Sequence, residues 1–324
     1  MKTKLLFITI VATALLLTAC SSEDSFGEEW DGRLHLSSSV VTLTRATHNL
    51  DQQIGNGEKV WLYIDNASDN TLANKVELTA DGSGNFTGDD NLFFPAKESS
   101  INLYAFHINN SSVTTIPDTY PVTGQTHKVE QDQKSTSSGS GYAKSDLLYV
   151  KATKTKEEVK TDNGAIALEF KHCLSKIEVI LKKGKGMDAI NISDVKILNT
   201  QLEGTFTPSK DSNDGLTVIA SGSTGENAIE IDNGITESSG DVLNEAIIIP
   251  QTLNSGGSTV GGVDFIRVTL STGGTLSYKL TSETQFDKNT KYTYTITANL
   301  TGLEVTSTVA NWETGTGDSG NATM

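Results

Sequence analysis

Apolar and polar residues alternate along most of this chain, with the period of two that lets a β-strand bury one face. The pattern is clearest near the end. Tyr292, Tyr294, Ile296, Ala298 and Leu300 occupy successive even positions, Thr301-Gly302 turns the chain, and Leu303, Val305 and Val309 then alternate toward Trp312. Trp312 is out of phase with Val309, which predicts a bulge or bend near Ala310. The same period marks Val60, Leu62 and Ile64, and again Ile177, Val179 and Leu181, with Glu178 and Ile180 on the opposite face. Strands are also expected at 76–80 and 84–86 around an Asp81-Gly82 turn, at 92–95 and 101–106, and at 145–152 and 166–170. In the second half they are expected at 195–198, 202–206 and 246–250, with a hairpin formed by 265–270 and 276–280. Segments 47–58 and 131–141 read as loops, 209–227 as turn-rich, and the charged run 151–160 as a solvated connection. Outside the first twenty residues, no segment holds a helical period for more than about ten residues. Many short strands joined by turns indicate an all-β chain of two antiparallel β-sandwiches in tandem, at 46–165 and 166–324.

The first strand of the folded part is expected within 34–46, LHLSSSVVTLTRA, where Leu34 and Leu36, then Val41 and Leu43, alternate with polar neighbours. This strand ends on Arg45-Ala46. The chain has three arginines, Arg33, Arg45 and Arg267, and its other basic residues are lysines. Two of the three arginines lie at or before residue 45, and Arg267 sits inside the apolar run 265–270. A protease specific for arginine would therefore trim this leader and meet few other sites.

Composition sharpens the picture in two respects. The chain has 324 residues, 29 of them glycine, with 36% hydrophobic residues, which suits strands and tight turns more than helical bundles. Its net charge is −15, and removing residues 1–45 takes away five acids and four bases and leaves −14. So acidic a chain, with no basic stripe, repels phosphate backbones, and nucleic acid is not an expected partner.

The start is a targeting segment. Lys2 and Lys4 precede an apolar stretch at 5–17, of signal-peptide length and short for a membrane span. Leu17-Thr18-Ala19-Cys20 resembles the lipobox of bacterial lipoproteins, in which the cysteine is lipidated and becomes the mature N-terminus. Residues 1–20 are thus a lipoprotein signal peptide, Cys20 the lipidation site, and 21–45 a propeptide leader whose polar part reads as a tether. Each buried acyl methylene contributes about 0.8 kcal/mol to membrane anchoring. Cys173 is the only other cysteine, so no intramolecular disulfide is expected. Its apolar surroundings make it a small buried side chain.

No catalytic constellation emerges. His35, His48, His107, His127 and His172 are scattered without metal-ligand spacing. Asp81, Ser83 and Asn85 fall at the first ligand positions of a calcium loop, but Phe86 stands where glycine is needed and Leu92 where a glutamate belongs, so a turn is the better reading. Neither a nucleophile elbow nor a phosphate loop is present. No catalytic residue, metal or other cofactor is assigned, and the chain is not read as an enzyme.

Four segments together resemble the fimbrillin family, the subunits of type V pili. They are the lipobox at Cys20, the TLTRA segment ending Arg45-Ala46, the run LEFKHCLSKIEVIL from Leu168, and the closing KYTYTIT…GLEVTSTVANW from Lys291, with AIIIPQTL from Ala246 as weaker support. The resemblance implies two transthyretin-like sandwiches, export as an outer-membrane lipoprotein, and cleavage at the cell surface by an Arg-specific protease, here between Arg45 and Ala46. It further implies that removing the first strand opens a groove, which a C-terminal strand of a neighbouring subunit fills. The expected donor lies within 291–312, with Leu303, Val305, Val309 and Trp312 as its apolar series. Such a chain is a stalk or tip subunit of a fimbrium with a role in adhesion, and its partners are other pilin subunits. The other reading is a monomeric outer-membrane lipoprotein that binds a surface ligand or glycan. That reading needs an aromatic platform, which Trp30, Trp61 and Trp312 do not outline.

Overall fold

A computed structural model describes residues 30–40, 53–108, 118, 120, 125–135, 139–208, 210, 216–221, 228–231, 242–254 and 261–312. In chain order the elements of the first half are β1 (His35–Val40), β2 (Lys59–Asn66), β3 (Leu72–Ala80), β4 (Phe86–Thr87), β5 (Ser100–Ile108), β6 (Gln125–Lys128), α1 (Gly141–Ser145), β7 (Leu147–Thr155), α2 (Lys156–Thr161) and β8 (Ala165–His172). Then follow β9 (Ser175–Lys183), β10 (Ile192–Leu198), β11 (Glu203–Pro208), β12 (Leu216–Ser221), β13 (Ala228–Glu230), β14 (Val242–Ile248) and β15 (Gln251–Leu253). The last five are β16 (Val263–Leu270), β17 (Thr275–Leu280), β18 (Thr284–Phe286), β19 (Thr290–Asn299) and β20 (Gly302–Asn311).

The chain is almost wholly β. Seven strands of the first half form one sheet, in the order β1-β8-β7-β5-β2-β3-β4. The second half builds β13-β10-β16-β17 and β14-β9-β19-β20, with β15 and β18 as a separate pair. The change of sheet falls between β8 and β9, while residue 165, the expected boundary, opens β8. The halves are knit together by β6, which leaves the first sheet and pairs with β11 to make the sheet β12-β11-β6. Phe106 of β5 and Phe206 of β11 meet edge to face at 5.8 Å, and one apolar core runs from Trp61 and Tyr63 to Phe265 and Ile296. The described residues from Gly32 onward accordingly form one compact unit.

Most ladders are antiparallel, as expected, but two are parallel: β1 on β8 and β19 on β9. Parallel neighbours need long connections, and short-range sequence pattern does not reveal them. Other expectations shift locally. Residues 92–95 do not form a strand, and Phe93 makes only a single bridge to Arg33. The region 209–227 contains β12, and the charged run 151–160 is the end of β7 followed by α2. That helix starts on a capping box: the Thr155 hydroxyl accepts from Glu158 N–H at 3.2 Å, and Glu158 accepts from Thr155 N–H at 2.7 Å. The Thr-x-x-Glu signal was present in the sequence. No bulge forms near Ala310, because the β19–β20 register runs unbroken from Thr290↔Asn311 to Asn299↔Gly302.

Candidate functional site

The N-terminal strand sits between two edges. On one side β1 runs parallel to β8, with His35 opposite Ala165 and Val40 opposite Phe170. On the other side it meets the segment from Gly84 to Phe94, with antiparallel bridges Ser37↔Asn85 and Arg33↔Phe93. Leu34 N–H donates to Leu92 O at 2.8 Å, Ser38 N–H to Gly84 O at 2.7 Å, and Phe94 N–H to Gly32 O at 2.8 Å. His35 N–H donates to Gly164 O at 2.8 Å, and Leu36 N–H to the Asp89 carboxylate at 3.2 Å. The period-2 pattern explains the seating: Leu34, Leu36 and Val40 turn inward and are at most 5% exposed. Gly84 allows the close approach, since its φ is +96° and a Cβ there would lie 3.0 Å from Ser38 O. Without β1, the backbone edges of β8 and of 84–94 would both be unpaired over an apolar floor. Cys20, Val41, Leu43, Arg45 and Ala46 lie outside the described residues.

The other two arginines are held in structure. The Arg33 guanidinium lies 5.7 Å from the Phe93 ring centre. Arg267 is in β16, flanked by β10 and β17, with an ion pair to Asp264 at 3.5 Å.

At the far end of the described residues, β20 is the outermost strand of its sheet and, among those residues, pairs only with β19. Leu303 and Val305 are half-buried against the core rim, and Val309 is 38% exposed. Trp312 does not share their environment. The ladder ends at Asn311, Trp312 N–H donates to Asn289 O at 2.8 Å, and the indole stacks on His172 at 3.7 Å and 2°. The phase break seen in the sequence is therefore a departure from the ladder, not a bulge within it. Trp61 is also buried, edge to face with Phe106 at 5.2 Å, so neither indole offers a surface to a glycan.

Three of the scattered histidines gather around Asp146. His172 Nδ1 lies 3.0 Å from the Asp146 carboxylate. His107 Nε2 lies 2.8 Å from Glu58 and its Nδ1 2.9 Å from Lys59 O. His127 Nε2–H donates to Ser145 O at 2.8 Å. Burial works against the charge on His107, but the Glu58 carboxylate more than offsets it and raises its pKa above the ordinary value. Burial also opposes the charge on Asp146, yet His172 and His107 hold its carboxyl below the usual range. His127 has no such carboxylate in contact, and burial pushes it down to about 4. These residues come from β5, β6, β8 and the link after α1, so no spacing in the sequence brings them together. A cleft beside Glu58, His107 and Tyr142 has room for about one water molecule. Among the described residues no group of three or more histidine, cysteine or acidic side chains could hold a metal ion. Asp81 bonds its own turn, accepting from Ser83 N–H at 2.7 Å and Asn85 N–H at 3.0 Å. Cys173 is buried.

The depressed His127 has a measurable consequence. The folded state binds no proton there between pH 6.5 and about 4, whereas the unfolded chain does, so stability is full above pH 6.5 and declines as pH falls toward 4. Between pH 7 and pH 5 this one group should remove about 2 kcal/mol. His107 has the opposite sign, because its stabilisation is present below pH 6.5 and is lost as pH rises through its raised folded value. Urea unfolding of the parent and of His127→Gln at both pH values isolates the His127 contribution. A parent and variant with equal pH dependence would refute it.

The comparisons agree with this architecture. The fimbrillin-like family matches residues 44–312. The chain is 24% identical, over 99% of its length and 100% of the relative's, to a candidate fimbrium subunit, Fim1C, of Bacteroides uniformis. Among solved structures, a candidate cell adhesion protein from Bacteroides ovatus aligns with TM-score 0.59 at 16% identity, over 86% of this chain and 98% of that one. Another from Bacteroides uniformis aligns with TM-score 0.54 at 21% identity, over 87% and 100%. The fold is that of these proteins, and with most of its length matched the chain belongs to the fimbrillin-like family, as a fimbrial subunit of the cell surface and not an enzyme.

Proposed function

We propose that this chain is a stalk or tip subunit of an adhesive fimbria that polymerises by strand exchange, triggered by an Arg-specific protease cutting between Arg45 and Ala46. In this reading Cys20 carries the lipid that holds the precursor at the outer membrane, and the cut releases it. The observation that carries the reading is the seat of β1. It is a terminal strand hydrogen-bonded to a separate edge on each side, with its inward side chains fully buried. Taking Leu34, Leu36 and Val40 out of the slot forfeits roughly 5–9 kcal/mol of burial, at about 1.5–3 for each side chain. It also frees two backbone edges, and an open edge over an apolar floor recruits another strand. Keeping β1 in place until export blocks premature assembly, and proteolysis makes the exchange irreversible. The partners are other pilin subunits, and Leu303, Val305, Val309 and Trp312 belong to the donor end.

Treatment of the folded precursor with an Arg-specific protease tests this. Intact mass and N-terminal sequencing should show one cut and a new N-terminus at Ala46, followed by heat-sensitive oligomers on a non-boiled denaturing gel. A folded precursor that resists cutting at Arg45 would overturn the mechanism and favour the anchored ligand-binding lipoprotein.

A further inference from the structure

The hydrogen bonds of His107 fix its protonation. Its Nδ1 lies 2.9 Å from Lys59 O and its Nε2 2.8 Å from the Glu58 carboxylate. A carbonyl and a carboxylate both accept, so both ring nitrogens must donate, and the ring is an imidazolium. A neutral ring keeps one proton. It then turns a bare nitrogen toward Lys59 O or Glu58, and two acceptors face each other at a residue that is 2% exposed. The other two histidines around Asp146 differ. His127 donates from Nε2 to Ser145 O and its Nδ1 meets no acceptor, while His172 meets the single acceptor Asp146, so a neutral ring satisfies each of them.

Glu58 lies on the stretch by which the chain returns to the fold after Arg45. The described residues resume at Gln53, and β2 begins at Lys59. Ile54 is 2% exposed and borders the same cleft as His107, Tyr142 and Leu148. The carboxylate oxygen that faces His107 also accepts from Gly55 N–H at 3.3 Å, so one side chain ties this turn to β5. Further on the backbone is held by β3, with Gly57 N–H on Ala80 O at 2.8 Å and Ala80 N–H on Glu58 O at 2.9 Å. We propose that His107 and Glu58 form a proton-dependent clamp on residues 53–56, and that its release by base speeds cutting at Arg45. The clamp follows from the geometry of His107, while its effect on cutting rests on the protease reading above.

The groups around the ring set the direction of the effect. Asp146 approaches from the link after α1 and also faces His172 of β8 at 3.0 Å. β6 brings His127, α1 brings Tyr142, and β7 sets Leu148 opposite His107. The Lys59 ammonium turns away, to Glu77 at 2.7 Å and the Thr79 hydroxyl at 3.0 Å. Burial opposes the charge on His107, and Glu58 and then Asp146 favour it. Once the turn opens, His107 is an ordinary histidine and titrates near pH 6.5, whereas in the closed form it keeps its proton to a higher pH. Opening therefore releases one proton between those two values. The open population rises about ten-fold per pH unit in that window and is level on either side of it. Cutting that samples a transiently open form follows the same population.

Two measurements on the folded, uncut precursor test this. NMR of the ring nitrogens should show both nitrogens of His107 protonated above pH 6.5. Over the window in which that signal is lost, hydrogen exchange at the Gly55 amide, divided by its intrinsic rate, should rise about ten-fold per pH unit, while exchange at Leu62 in β2 stays level. The rate of cutting at Arg45, divided by that for a free peptide of residues 41–52 under the same protease and pH, should rise in step. Glu58→Gln presents an amide N–H to a neutral Nε2, at the loss of the 3.3 Å bond from Gly55, and should hold both ratios level across pH. A His107 ring that titrates at or below pH 6.5, or a Gly55 ratio that ignores pH, overturns the clamp. Exchange that follows pH while normalised cutting does not would overturn the link to processing. If Arg45 is cut at no pH, the protease reading itself falls, and exchange at Gly55 still decides the clamp.

Discussion

Lys176→Ala is expected to destabilise the protein by about 3–5 kcal/mol, the usual consequence of removing one partner from a buried ion pair. Lys176 is 1% exposed on β9, and its ammonium lies 2.8 Å from the Glu245 carboxylate of β14. Glu178 and Glu245 stand directly opposite each other in the β9–β14 register, so two carboxylates share a buried face. Like charges in that relation repel, and lysines on either side offset it. Lys176 serves Glu245, while Lys291 reaches Glu178 at 3.2 Å and the Thr293 hydroxyl donates to Glu178 at 2.8 Å. Truncation at Lys176 strips Glu245 of that ammonium in a place where water does not replace it. Pairing Lys176→Met with Glu245→Leu should recover most of the loss, since apolar replacement of a whole buried pair is often neutral or better. Chemical denaturation of the single and double variants decides the matter. A loss below about 1 kcal/mol for Lys176→Ala would mean that the site is wetter than the structure shows.

Trp312→Ala should cost a similar amount, about 3–5 kcal/mol, because a large buried ring leaves a cavity. The indole is 2% exposed, lies flat on His172 and has the Lys176 ammonium 5.8 Å from its centre. It also pins the end of a strand held on one edge only. The amides of β20 should therefore exchange with solvent faster in the variant than those of β16, which has a ladder on both sides. Trp312→Phe, which keeps a stacking ring, should lose less. Uniform acceleration of exchange across both strands would show that Trp312 stabilises the whole unit and does not serve as a local anchor.

Much of this fold was legible in the sequence where period alone suffices. Tyr292, Tyr294, Ile296 and Ala298 alternate because one face of β19 is buried, and the strand forms where the pattern places it. The hairpin of β16 and β17 and the apolar run of β9 were equally plain, being local in the chain. The seat of β1 was not. Its alternation marks a strand, but which edges it bonds to, and that it runs parallel to β8, depends on residues more than a hundred positions away. The sequence places Glu178 and Ile180 on the face opposite Ile177 without revealing what covers it; Tyr142 and Trp312 lie over Lys176, and Lys176 and Glu178 are both buried. The three histidines around Asp146 were invisible for the same reason, since β5, β6 and β8 bring them together only after pairing. By itself the sequence determined that this protein is made of strands, which face of each is apolar, and which family it resembles, because strand period and side-chain polarity are local properties. Only the tertiary structure decided that the first strand closes a gap between two edges and that the last is held by one, because pairing partners are chosen by burial across the whole chain.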